Sequence, residues 1–167
     1  LFGRMLNIEG RVLPATETPT IISALVRDSS GPHDTTNTRE VVGQVAVAKT
    51  SGQVQSTHLH PADVKACSQA IECIEKADVL VFGPGSWFTS VTPHLLITDL
   101  REAILRSDAL KVLVMNLESQ MDESSNFDRC DYLLSWTKFA PGISIDVVIA
   151  DPDYVQASEN LAALTDR

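Results

Sequence analysis

The rhythm of apolar and polar positions changes near residue 60. Before it, short β-branched runs alternate with polar residues and are separated by Pro, Gly and Ser clusters, the signature of strands. Thr20–Val26 reads TIISALV and Val41–Ala48 reads VVGQVAVA. Gln53–Leu59 follows as QVQSTHL after the turn-forming Lys49-Thr50-Ser51-Gly52. A Ser-Gly pair supplies a turn with positive φ at the glycine, so the last two runs are predicted to form a β-hairpin. Residues 28–39, rich in Ser, Thr, Gly, Pro and Asn, are predicted to be a long polar loop or a mobile hairpin tip.

Beyond residue 60 the period becomes helix, strand, helix, strand. Pro61 fits a first helical position, and Cys67, Ala70, Ile71 and Ile74 then form an i, i+3, i+4, i+7 stripe. Val79-Leu80-Val81-Phe82 is an uninterrupted apolar run, expected for a parallel strand buried on both faces. A second helix is predicted from Pro93, with Thr92 as N-cap and Leu96, Leu100, Ala103 and Ile104 on one face. Val112–Met115 and Asp146–Ala150 are further buried strands. Between them lies a third helix, with Phe127, Cys130, Leu134 and Thr137 inward and a weak capping box from Ser125 to Asp128. The alternation predicts one α/β domain over residues 1–167, with a Rossmann-like, doubly wound, mostly parallel sheet and a small antiparallel β-hairpin insertion. Its parts are a β-rich hairpin region at 10–60, a βαβ region at 61–155 and a C-terminal helical tail at 156–167.

Composition narrows the function. The chain has 167 residues, of which 44% are hydrophobic and 21% charged, an ordinary globular balance. Thirteen Lys and Arg against 22 Asp and Glu give a net charge of −9, which argues against nucleic acid or an anionic membrane as the main partner. No apolar run is long enough for a membrane span, and the expected location is the cytoplasm. Cys67, Cys73 and Cys130 make no C-x-x-C pair and read as reduced, mostly buried thiols.

The stretch richest in chemistry is Gly83-Pro84-Gly85-Ser86-Trp87-Phe88-Thr89-Ser90, between a buried strand and a helix. Ligands of open α/β sheets sit outside the C-terminal ends of the strands, where such loops lie. Two glycines let backbone approach a ligand, and Ser86, Thr89 and Ser90 offer hydroxyls beside a helix start that favours anions. Phe88 replaces the third glycine of G-x-G-x-x-G, and there is no G-K-[ST], so neither familiar phosphate motif is present. The alternative is a tight turn that merely needs glycine. Asn116 ends the next strand at the same edge, where it either bonds the same ligand or forms a turn. Gln120 and Glu123 follow in a loop that is either placed over the site or simply solvated. His58 and His60 face one side of an extended segment, but no Cys or carboxylate at known ligand spacing completes a metal site. His94 falls in the first turn of the second helix. No catalytic residue is assigned: a lone Ser86 without a placed base is not a nucleophile.

The segment VLVFGPGSWFTSVTPHLL at 79–96 resembles the G-P-G-S-x-[YF]-T-S-x-x-P-x-L-L stretch of the gluconeogenesis factor family, relatives of 2-phospho-L-lactate transferase. Gly10–Thr16 (GRVLPAT), His60–Asp63 (HPAD) and Val114–Leu117 (VMNL) resemble flanking stretches of that family. Where the family reads Q-P-G-E-T-x-G-F, this chain has Gln120–Phe127, QMDESSNF, with Pro-Gly replaced by Met-Asp. The family's N-terminal Gly-rich nucleotide loop has no counterpart here, so the chain looks like the C-terminal portion of a member. The resemblance implies a regulatory protein binding a UDP-sugar such as UDP-N-acetylglucosamine, linked to carbon metabolism, cell shape and cell-wall synthesis. Its ligand-binding residues would be Gly83, Pro84, Gly85, Ser86, Thr89, Ser90, Asn116, Gln120 and Glu123. The alternative it implies is a transferase acting on a deazaflavin acceptor with Mg²⁺. A homo-oligomer is a further expectation, because a sheet without its neighbours leaves apolar surface open.

Overall fold

A computed structural model describes residue 5 and residues 9–27, 38–117 and 129–151. The predicted loop at 28–37, Gln120, Glu123, the capping box and the helical tail lie outside the described residues. The first half forms a three-stranded antiparallel sheet from β1 (Ile21–Arg27), β2 (Thr38–Val42) and β3 (Gln53–His60), in the order β2-β1-β3. The second half is a parallel sheet in the order β4-β5-β6, from β4 (Val79–Phe82), β5 (Leu110–Val114) and β6 (Val147–Ile149). The architecture is α/β and Rossmann-like, with the three-stranded antiparallel sheet as its addition.

The predicted hairpin is corrected. Residues 41–48 do not pair with 53–59; β1 lies between β2 and β3 and pairs with both. Gly43, at φ 99°, ends β2, and the next residues wind into a short helix, α1 (Gln44–Ala48). Val47 on that helix is fully buried, so the apolar run that imitates a strand reaches the core by another geometry.

The helix expected from Pro61 is also corrected. The His60–Pro61 peptide is cis, and residues 61–67 run as an irregular connection. The Cys67 N–H donates to the Ala15 carbonyl at 2.9 Å, and the Ala66 N–H donates to the Asp99 carboxylate at 3.2 Å. Those donors are therefore unavailable to a helix, and α2 (Ser68–Glu75) starts later. Its Ala70, Ile71 and Ile74 do pack against the core as the stripe predicts.

After β4 the chain enters a π-helical turn (Trp87–Val91), which runs into α3 (Thr92–Leu96), breaks at Ile97, and resumes as α4 (Thr98–Arg106). Thr92 is thus not an N-cap. It is buried within the helical path, and its hydroxyl donates to the Phe88 carbonyl at 3.2 Å. The π turn is anchored on one acceptor: the Ser86 carbonyl takes N–H bonds from both Ser90 (2.8 Å) and Val91 (3.1 Å). Helix α5 (Arg129–Phe139) turns a different face inward than expected. Leu134 and Thr137 are exposed, whereas Tyr132, Trp136 and Ala140, spaced at i, i+4 and i+8, are buried. The Trp136 indole N–H donates to the Ile143 carbonyl at 2.9 Å.

One apolar cluster spans both sheets, joining Ala24, Val26 and Val54 to Phe88, Leu95 and Leu113. The expectation that β4 is buried on both faces fails. Leu80 and Phe82 pack against the core, but Val79 and Val81 are 48% and 60% exposed. Register puts Leu110 (45%), Val147 (39%) and Ile149 (53%) on that same open face, with Val112 buried among them. Of the two cysteines whose side chains are described, Cys67 is buried and Cys73 is exposed.

Candidate functional site

The Gly83–Ser90 loop leaves the C-terminal end of β4 beside the end of β5, the position at which α/β sheets receive ligands. Its path is dictated by backbone crowding. Gly83 has φ 77°, and a Cβ there would lie 2.6 Å from the Val114 carbonyl oxygen, so only glycine fits. The Gly83–Pro84 peptide is cis. Gly85, at φ 155°, has more room: the nearest atom to a Cβ would be the Ser90 Cβ at 3.5 Å.

Asn116 fixes this turn from the neighbouring strand. The Gly85 N–H donates to Asn116 Oδ1 at 2.9 Å, and Asn116 Nδ2 donates back to the Gly85 carbonyl at 2.9 Å. The sequence offered ligand contact or turn formation for Asn116, and in the free chain its amide is engaged with the Gly85 backbone. Ser86 and Thr89 join their hydroxyls to each other, while Ser90 and Pro84 are exposed. His94 is exposed and lines a hollow shared with Ser90.

A cavity of about 10 Å³ lies between the loop and the end of β5, lined by Gly83, Gly85, Trp87, Met115, Asn116 and Tyr132, room for a single water. Trp87 is 4% exposed, and its indole Nε1–H is buried with no hydrogen-bond acceptor among the described residues. An unpaired buried donor of this kind costs about 1–3 kcal/mol. Trp87 stands edge-on to Tyr132, with ring centroids 5.4 Å apart. Sequence reasoning passed over Trp87 because an aromatic after a glycine turn reads as core. It is indeed core, and only the fate of its N–H distinguishes it. A hollow of about 420 Å³ lies near Asp78 and Asp108, but at the N-terminal ends of β4 and β5, away from the glycine loop.

Two other constellations were weighed. Ser23 Oγ lies 2.8 Å from His60 Nε2, and Glu40 Oε1 is 3.9 Å from that nitrogen. A nucleophile–base–carboxylate relay needs the two partners on opposite ring nitrogens. Here both meet Nε2, and Ser23 is wholly buried, so the group is a structural link between strands. His58 bonds instead to Ser56 at 3.0 Å. Among the described residues no cluster of three or more His, Cys, Asp or Glu side chains is placed to hold a metal ion. No described helix is long and apolar enough to cross a membrane.

Comparison with known proteins agrees with this geometry. The family model described as 2-phospho-L-lactate transferase CofD matches residues 1–164. A protein of Mycobacterium tuberculosis (strain H37Rv) named putative gluconeogenesis factor is 40% identical over 154 residues, covering 92% of this chain and 44% of that protein. The gluconeogenesis factor of Listeria monocytogenes is 33% identical over 133 residues, covering 80% of this chain and 38% of its own length. The crystal structure of a UPF0052 family member from Bacillus halodurans superposes with a TM-score of 0.75 at 32% identity, over 98% of this chain and 51% of the other. The chain thus spans about half the length of these relatives or less. Matched over nearly its whole length, it belongs to the family of 2-phospho-L-lactate transferase CofD and the gluconeogenesis factors.

Proposed function

We propose that the chain carries the nucleotide-sugar-binding loop of a regulatory protein of the gluconeogenesis factor type. It would act in the cytoplasm on carbon metabolism, cell shape and cell-wall synthesis, with UDP-N-acetylglucosamine as the reference ligand. The observation that carries this reading is the Asn116–Gly85 clamp, which presents the Gly83–Ser90 turn at the strand ends without using a ligand to hold it. A preset turn of this kind leaves little ordering to be done on binding. Residues 83–97 contain no Lys or Arg, so the loop would address a ligand through hydroxyls and backbone groups. Gln120 and Glu123 belong to the proposed set on family resemblance alone.

The name of the family model favours a second reading, a transferase moving a phospholactyl-type group onto a deazaflavin acceptor with Mg²⁺. Residues 83–97 hold no carboxylate, and Mg²⁺ is ordinarily held by one or two carboxylates together with substrate phosphates. This segment by itself therefore does not fit the ion, and we derive no step through it. Thermal-shift titration with UDP-N-acetylglucosamine, GDP and a deazaflavin separates the readings. Stabilisation by the UDP-sugar alone supports the first, and stabilisation by the deazaflavin alone supports the second.

A further inference from the structure

We propose that Trp87 is a ligand-contacting residue, its indole N–H donating a hydrogen bond to one acceptor oxygen of the bound ligand. The inference rests on the reading of the Gly83–Ser90 loop as a ligand site, and extends it to a side chain that the family motif leaves open. Trp87 occupies the x of G-P-G-S-x-[YF], whereas the glycines, Ser86 and Thr89 belong to the fixed pattern.

Three independent observations converge on this side chain. Its Nε1–H is buried without an acceptor among the described residues, although buried donors are nearly always paired. It lines, with Asn116 and Gly85, a cavity of about 10 Å³, which accepts one oxygen atom and no sugar or base ring. It also opens the π-helical turn at Trp87–Val91, a local geometry frequent at functional sites. The second tryptophan supplies the contrast. Trp136 is equally buried, at 4% exposure, but its N–H is satisfied by the Ile143 carbonyl at 2.9 Å. Of the two indoles, only Trp87 has a donor left to give. A ligand oxygen, phosphoryl or carbonyl, takes this position in place of solvent. Such an exchange gains affinity when the incoming oxygen reproduces the bond.

The test uses the full-length protein labelled with ¹⁵N. The indole N–H resonances of Trp87 and Trp136 are assigned with Trp87→Phe and Trp136→Phe and followed during titration with UDP-N-acetylglucosamine, UMP and inorganic diphosphate, alongside the Gly85 amide. The expected result is a ligand-dependent shift of the Trp87 indole signal with the Trp136 signal fixed. Trp87→Phe should bind about threefold to tenfold more weakly, at an unchanged or raised melting temperature. A shift with diphosphate identifies the acceptor as phosphoryl, and a shift with the UDP-sugar alone identifies it as an oxygen of the sugar part. If the Gly85 amide moves while the Trp87 indole stays fixed and Trp87→Phe binds as the parent does, this proposal fails and the loop reading stands. If neither signal responds to any of the three probes, the loop reading fails and takes the proposal with it.

Discussion

Asn116 and Gly85 hold each other by two opposed hydrogen bonds of 2.9 Å, one in each direction between a side-chain amide and a backbone peptide. A strand-end side chain thereby sets the conformation of a loop 31 residues earlier. Asn116→Ala removes both bonds and leaves the Gly85 groups half-buried without these partners. The expected loss is about 1–3 kcal/mol, seen as a lower melting temperature, together with weaker UDP-sugar binding. Asn116→Asp keeps the acceptor but turns an oxygen toward the Gly85 carbonyl, and should not restore either property.

The two loop glycines should respond differently. Gly83→Ala forces a Cβ to 2.6 Å from the Val114 carbonyl at φ 77°, so it should destabilise the fold whether or not ligand is present. At Gly85 the nearest neighbour of a Cβ is an ordinary contact at 3.5 Å, although φ is 155°, so substitution there should cost backbone strain without a clash, less stability than at Gly83, and binding besides. Ser86→Ala removes one hydroxyl and should weaken binding by about threefold to tenfold, the equivalent of 0.5–1.5 kcal/mol. Melting curves and titrations of the three variants check the ordering.

Lys111 offers a control far from the loop. It is 9% exposed, and its ammonium donates to the Ser107 and Ala109 carbonyls at 2.7 and 3.2 Å, just past the end of α4. A cation is favoured at a helix C-terminus. Lys111→Met should lower stability by about 1.5–3 kcal/mol and leave ligand affinity per folded molecule unchanged.

The open face of the parallel sheet bears Val79, Val81, Leu110, Val147 and Ile149, each between 39% and 60% exposed. In the order β4-β5-β6, β4 is paired on one side only among the described strands. Stacking this face on that of a second copy would bury both apolar faces, and pairing the β4 edges would satisfy their open backbone groups. The chain is therefore expected to self-associate, and Val81→Lys to shift it toward monomer. Light scattering that reports a clean monomer of the parent chain at high concentration would contradict this.

Much of this was legible in the residues, for identifiable reasons. Continuous or alternating apolar runs gave β1, β3, β4, β5 and β6 to within a few residues, because β-branched apolar residues favour extended backbone even in β4 and β6, where burial falls short of the expectation. The segment 41–48 misled because Gly43 reverses the chain within an unbroken apolar pattern, and periodicity does not record φ. Residues 61–67 misled because their N–H groups are taken by Ala15 and Asp99, long-range partners that no local pattern announces. Leu134 was placed inward and Tyr132 overlooked because an amphipathic stripe is hard to phase when aromatics stand on two sides of it. At the site, the glycines and the loop position were readable. The Asn116 clamp and the unpaired Trp87 donor were not, since both depend on how β5 and the loop meet in space.

The most direct test is the titration of UDP-N-acetylglucosamine into the full-length protein and its Gly85→Val variant, with melting curves of both. The valine adds a branched side chain where ligand approaches backbone and disfavours positive φ. The account predicts saturable binding to the parent, and a variant that melts somewhat below it, because Gly85 sits at φ 155°, yet does not bind at temperatures where it is folded. A Gly85→Val protein that melts early but binds with parental affinity while folded would show that this loop is a structural turn and not the site.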